Sequence, residues 1–213
     1  ITGGIGSSGF RERFTTDYDL PNSTNYSETC ASIGLALFGL RMSQIKRDAR
    51  YLDTVERALY NTVRSGISLE GNRYFYVNPL EVWPDSCLEH SAKTHVKPVR
   101  QKWFDVACCP TNVARTLTSL GQYIYSRDDN ALYVNLFIQN HTDLELAGSK
   151  VSISLDTDFP KTSSMTMTVQ AETASRFPLY IRIPGYAKNF TLQVNGETQE
   201  YQVVNGFACI DRV

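Results

Sequence analysis

The chain has 213 residues, 42% of them hydrophobic and 20% charged. That is enough to build one large domain or two smaller ones with real cores, and it excludes both a disordered chain and a disulfide-stapled miniprotein. Twenty-one Lys and Arg against 22 Asp and Glu give a net charge of -1, so no field draws in nucleic acid or acidic lipid, and a neutral partner fits best. The longest apolar run, about Ile33 to Leu40, is far short of the roughly 20 residues that cross a bilayer. The chain starts Ile-Thr-Gly-Gly, with neither an initiator Met nor a basic-then-apolar leader. Its compartment, cytoplasmic, periplasmic or secreted, cannot be read from that end.

In chain order, Ser27 to Arg47 carries Ala31, Leu35, Phe38 and Met42 at helical spacing, and Tyr51 to Ser65 carries Leu52, Val55, Leu59 and Val63 likewise, predicting two amphipathic helices. Arg73 to Leu80 reads as a short extended segment. Glu81 to Lys102 follows as a polar, irregular stretch of a length that commonly carries function. A third helix is expected after Pro110, placed at the first helical position, with Val113, Leu117, Leu120 and Ile124 on one stripe. Near residue 128 the helical periodicity stops. The segments ALYVNLFI, KVSISLDT, SMTMTVQA, PLYIRIP and FTLQVNG then read as strands of an antiparallel sandwich, with Asn195-Gly196 as a hairpin turn. Two domains are therefore expected, 1–128 helical and 129–213 made of strands.

The five cysteines, Cys30, Cys87, Cys108, Cys109 and Cys209, are odd in number and include a vicinal pair, a pattern that suits metal or thiol chemistry better than a disulfide framework. Cys108-Cys109-Pro110 opens a predicted helix, where unpaired N–H groups and the positive dipole end stabilise thiolates. The plainer alternative is a helix start that contains two buried cysteines. Glu28-Thr29-Cys30 places a carboxylate and a third thiol two residues apart. On a regular helix these diverge by about 200°, so meeting at one ion requires a turn or an unwound start there. With that met, one oxygen and three sulfurs suit tetrahedral zinc. His90, His95 and His141 have no ligand spacing and read as loop or surface residues. Glu12, with Asp17, Tyr18 and Asp19, offers carboxylates of the kind that work in pairs on glycosidic bonds, although any one of them taken singly reads as a surface charge. Tyr74, Phe75, Tyr76, Trp83 and Trp103 could stack on sugar faces or fill a core, the commoner use.

Taken together, ITGGIGSSG, the glutamate at position 12, DYDLPN, ETCASIGL, ERALYN, RYFYVNPLE, WFDVACCP followed by NVAR, and YIRIPGYA resemble, in order, the β-L-arabinofuranosidases of glycoside hydrolase family 127. The resemblance implies the last part of a helical (α/α)6 catalytic barrel followed by an incomplete antiparallel β-sandwich, with the earlier helices of the barrel missing. It implies zinc held by Glu28, Cys30, Cys108 and Cys109, Cys108 as nucleophile, Glu12 as general acid/base, and Glu56 and Tyr76 as sugar contacts. The implied activity is retaining hydrolysis of β-L-arabinofuranosides or a related furanoside, with an oligosaccharide or glycoside as partner, no nucleic acid or membrane, and a homodimer as one form of the full-length parent. One departure is that Arg11 and Arg13 flank Glu12, and two cations would depress its pKa unless they point away. These 213 residues alone are expected to be inactive and poorly soluble, because a barrel lacking half its staves exposes apolar helix faces. The competing readings are a zinc-stabilised scaffold with a carbohydrate-binding sandwich that cleaves nothing, and a thiol-redox module, which lacks a Cys-x-x-Cys.

Overall fold

The computed structural model describes residues 2–89 and 93–212. Packing groups the chain into two units. One comprises the chain up to Met42 together with Thr54–Ser119, and the other comprises Ser43–Asp53 together with the chain from Leu120 onward.

Helix α1 spans Thr29–Ile45. It buries Ser32, Ile33, Ala36 and Leu40, while Phe38 is 63% exposed, so the buried stripe is out of phase with the expected Ala31, Leu35, Phe38 and Met42. The helix is apolar around most of its circumference, so spacing alone does not select a face. Neighbours do: Ile33 packs with Val63 and Val113. Helix α2, Ala49–Arg57, continues into a π-helical stretch, Ala58–Val63, and its predicted stripe Leu52, Val55, Leu59 and Val63 is buried throughout. After the short α3, Ser86–Glu89, helix α4 runs over Cys108–Thr118. It starts two residues earlier than expected, so Cys108, not Pro110, is the first helical residue. Proline is tolerated in the third position because the first four N–H groups of a helix have no intrahelical partner. The helix also stops earlier than expected, with the Ser119 N–H donating to the carbonyls of Arg115 and Thr116. A separate short α5, Gly121–Ile124, follows, and Leu117 is left exposed.

The second unit holds strands β1 Tyr125–Arg127, β2 Leu132–Val134, β3 Asn140–Leu146, β4 Ser149–Asp156, β5 Thr166–Ala171, β6 Phe177–Arg182, β7 Gln193–Val194, β8 Glu197–Thr198, β9 Val203–Val204 and β10 Phe207–Arg212. They form sheets ordered β1-β2-β6-β10-β9, β3-β4-β5 and β7-β8. All pairs are antiparallel except β2 with β6, a departure from the antiparallel expectation. The chain leaves β2, builds the three-stranded sheet and returns at β6, and a connection of that length permits parallel pairing. Leu132 and Phe177 of one sheet share a buried cluster with Leu146, Val151 and Ile153 of the other. Asn195 and Gly196, at φ +53° and +85°, make the expected turn between β7 and β8 in the primed geometry that hairpin twist favours.

Within this unit the guanidinium of Arg182 is fully buried, and its Nη1 lies 2.6 Å from Asp53 Oδ1. Leu52 and Ala49 pack with Phe207. Among the described residues no helix is long and apolar enough to cross a membrane.

Candidate metal centre and active site

The start of α1 is shaped by a cross-connection to the segment 74–78. Glu28 forms an isolated bridge with Val77. The Thr29 N–H donates to the Tyr76 carbonyl at 2.9 Å, and the Asn78 side-chain amide donates to the Ser27 carbonyl and the Thr29 hydroxyl. Ser27, at φ +42°, turns the chain immediately before. Glu28 is therefore extended while Cys30 is helical, which is the unwound start that convergence of the two side chains demanded. Cys108 and Cys109 come from the first turn of α4, whose N-cap, Ala107, has no side chain to satisfy the free N–H groups.

The ligand atoms of Glu28, Cys30, Cys108 and Cys109 all lie within 4.8 Å of one another. Cys30 Sγ to Cys109 Sγ is 3.6 Å, Cys108 Sγ to Cys109 Sγ 3.8 Å, and Glu28 Oε1 is 3.7 Å from both Cys108 and Cys109. A tetrahedron with bonds of about 2.3 Å to sulfur has edges of about 3.8 Å, which these four separations match, with every separation in the set within 4.8 Å.

The electrostatics point the same way. Burial, reinforced by Cys30 and Glu12, pushes the Glu28 carboxyl from 4.5 up to about 7. Its bond with Cys109 draws the Cys30 thiol down to about 6, and the same bond, with burial, drives Cys109 strongly upward. Burial also raises Cys108, against a lowering contribution from the Tyr76 hydroxyl. Four acids this close cannot all ionise unaided, and a divalent cation would remove the conflict. Cys109 is wholly buried, whereas Cys108 is partly exposed. Of the two vicinal thiols, Cys108 is the one a substrate could reach.

Around the cluster, Tyr76 is buried, with its hydroxyl 3.1 Å from Cys108 Sγ. Glu12 lies at the end of a 3-10 turn, Phe10–Glu12, inside a loop closed by backbone bonds between Ser8 and Arg13. Arg11 and Glu12 have φ of +57° and +50°, a left-handed conformation that costs a non-glycine residue about 1 kcal/mol or more. The guanidinium groups of Arg11 and Arg13 lie over the Phe10 ring at 5.4 and 5.3 Å. Among the described residues neither makes an ion pair with Glu12. The Tyr26 hydroxyl donates to Glu12 Oε1 at 3.1 Å and lies 2.9 Å from His95 Nδ1, and His95 stacks on Tyr76 with ring centroids 4.1 Å apart. Sequence reasoning passes over Tyr26 and reads His95 as a loop or surface residue, whereas the His95 ring is half-buried against Tyr26 and Tyr76. Tyr26 sits two residues before the Glu-x-Cys signature, but no spacing links it to His95.

Glu56 is buried near the end of α2 and is not a member of the metal cluster. Asp17, Tyr18 and Asp19 are exposed or nearly so, with Asp19 bonded by the Thr15 hydroxyl. Tyr74 joins the buried aromatic cluster under the cysteines, whereas Trp83 and Trp103 are exposed. His141 is a surface residue beside Ser154 and Asp143. His90 lies outside the described residues.

The structure defines a helical unit bearing one carboxylate and three thiols that could hold a metal ion, followed by sheets, and comparison with known proteins supplies the family. Residues 1–122 match the family described as beta-L-arabinofuranosidase, GH127 catalytic domain, and residues 131–213 match the corresponding GH127 middle domain. The chain belongs to glycoside hydrolase family 127. It is 38% identical to a non-reducing end beta-L-arabinofuranosidase of Bifidobacterium longum subsp. longum, over 97% of this chain and 32% of that protein. It superposes on the crystal structure of a GH127 beta-L-arabinofuranosidase from Geobacillus stearothermophilus with a TM-score of 0.94 and 48% identity, covering 100% of this chain and 34% of that one. A further GH127 beta-arabinofuranosidase structure matches at TM-score 0.85 and 34% identity, covering 99% of this chain and 34% of the other. The chain thus spans about a third of the length of these relatives.

Proposed function

We propose that this chain carries the metal centre and the catalytic pair of a retaining hydrolase of β-L-arabinofuranosides or a related furanoside. Zinc is held by Glu28, Cys30, Cys108 and Cys109. Cys108 is the nucleophile, Glu12 the acid/base, and Glu56 and Tyr76 contact the sugar. Residues 1–128 are then part of an (α/α)6 barrel and 129–213 part of a β-sandwich. The observation that carries this reading is the convergence of one carboxylate and three thiols within 4.8 Å, on a chain whose family acts on glycosides.

Zinc, when bound, keeps the thiols ionised near neutral pH. The chain's own residues do the rest. Cys108 sulfur attacks the anomeric carbon, and the C–S bond forms as the bond to the departing oxygen breaks. Glu12 gives its proton to that oxygen. As a carboxylate, Glu12 then takes a proton from water, whose oxygen displaces the sulfur, and two inversions give net retention. The Tyr76 hydroxyl, 3.1 Å from Cys108 Sγ, donates to the thiolate and orients the lone pair that attacks. When sulfur leaves, the charge returns to Cys108 and the same hydroxyl donates to the thiolate again.

The test is metal analysis and kinetics on the full-length protein. One zinc per chain is expected. Cys108→Ser should keep the metal and lose turnover by at least about 1,000-fold, and Cys30→Ala should lose both. A mass shift equal to one pentosyl residue on Cys108 after quenched turnover would support the assignment. Near-normal turnover by Cys108→Ser would refute it.

A further inference from the structure

We infer that Tyr26 and His95 are positioning residues for the acid/base, fixing which oxygen of Glu12 carries the transferred proton. The inference rests on the function proposed above. Tyr26 sits where the Glu12 loop meets the metal cluster, and its own N–H donates to the Gly6 carbonyl at 2.9 Å. The backbone on both sides of the Tyr26–Glu12 bond is therefore tied down.

A phenol has one proton to donate. Facing Glu12 Oε1 at 3.1 Å and His95 Nδ1 at 2.9 Å, it gives that proton to the carboxylate, the stronger acceptor, and accepts from an Nδ1–H on His95. This arrangement survives both protonation states of Glu12. In the carboxylate, Oε1 accepts from Tyr26, and Oε2 has no partner among the described residues. In the acid, Oε1 is the carbonyl oxygen and still accepts, so the proton resides on Oε2 and is presented to the leaving oxygen. Without Tyr26 the proton could sit on either oxygen, and the carboxyl could rotate.

His95 links this arrangement to the nucleophile. Its ring stacks on Tyr76 at 4.1 Å and 28°, and the Tyr76 hydroxyl lies on Cys108 Sγ. The acid/base and the nucleophile are thus joined through Glu12, Tyr26, His95, Tyr76 and Cys108, all in the same packed unit.

Positioning of a general acid has a signature that loss of packing lacks, because it matters in proportion to how much the leaving oxygen needs a proton. On the full-length enzyme, kcat/KM is measured for an alkyl β-L-arabinofuranoside, a poor leaving group, and for the 4-nitrophenyl glycoside, a good one, with zinc content determined for each protein. Glu12→Gln serves as the reference for complete loss of the acid. Tyr26→Phe should lose about tenfold or more on the alkyl glycoside and less than about threefold on the nitrophenyl glycoside, with zinc unchanged. His95→Phe, which keeps the stack and removes the donor, should show the same selective loss in weaker form. His95→Asn, which keeps an N–H near the Nδ1 position, should recover most of it.

Equal losses on both substrates, or no loss in Tyr26→Phe while Glu12→Gln shows the selective pattern, would overturn the positioning role and leave the hydrolase reading intact. Absence of the selective pattern in Glu12→Gln itself would remove the acid/base assignment, and this inference with it.

Discussion

Glu28→Gln should change sign with conditions, stabilising the metal-free protein at alkaline pH while abolishing the metal's own contribution. In the absence of metal the Glu28 carboxyl is held at about 7 instead of 4.5, chiefly by burial. A group whose pKa is raised on folding contributes stability that is complete below the unfolded value, here about 4.5, and is lost as pH rises through the folded value, here about 7. The displacement sets a ceiling of about 3 kcal/mol by pH 8.5, and because Glu28 and Cys30 titrate together the realised figure should be about 1 to 3 kcal/mol. Glutamine removes this cost yet keeps an oxygen where the Cys108 and Cys109 thiols, 3.7 Å away, can donate. Cys30, held down to about 6, works in the opposite direction. Its stabilisation is complete above its ordinary 9 and is lost as pH falls through about 6. Comparing the two proteins at each pH reads Glu28 together with its coupling to Cys30. The assay is urea denaturation with chelator and reductant at pH 5 and 8.5, repeated with zinc. The chelated glutamine protein should gain on wild type between the two pH values, and with zinc the order should reverse, because only wild type gains binding energy. A chelated Glu28→Gln protein that is less stable than wild type at pH 8.5, or a gap that does not widen with pH, would refute the reasoning.

Other consequences are equally direct. Tyr76→Phe removes the hydroxyl from Cys108 Sγ and keeps the buried ring, so kcat should fall about tenfold while zinc per chain stays constant. Asp53→Ala removes the carboxylate beside an Arg182 that is 0% exposed, leaving the buried charge its bond to the Asn135 carbonyl but without the Asp53 counter-charge at Nη1. The second unit should lose about 3 to 5 kcal/mol, read as an earlier urea transition. Gly206→Ala forces an L side chain to adopt φ +81° and places a Cβ 2.5 Å from that of Ala49. Destabilisation by at least about 1 kcal/mol should appear as a lower melting temperature.

The convergence of Glu28 with the three thiols was legible in the sequence because its parts are local signatures. Cys-Cys at a helix start and Glu-x-Cys at another each carry their own geometric demand, and the turn at Ser27 meets the second. The Asn195-Gly196 hairpin was legible for the same reason. The phase of α1 was not, since an almost uniformly apolar sequence gives a helix no preferred face until Val63 and Val113 arrive. The parallel pairing of β2 with β6 was hidden as well, because nothing in either short segment encodes a partner some fifty residues away. Tyr26 and His95 are separated by 69 residues, and a single hydrogen bond between distant side chains leaves no periodicity to read.

The assignment of Ser43–Asp53 to the second unit has a consequence for biosynthesis. This stretch leaves the ribosome well before Phe207, the residue that packs on Ala49 and Leu52. At about 5 to 20 residues per second, the intervening 150 or so residues take roughly 8 to 30 seconds to translate. For that interval the apolar side of the early segment lacks the buried Phe207 ring, with Tyr133 and Tyr180 arriving before it, and chaperones have an opening there. A nascent chain stalled shortly before residue 207 should accordingly be held by them far more strongly than one released a few turns later.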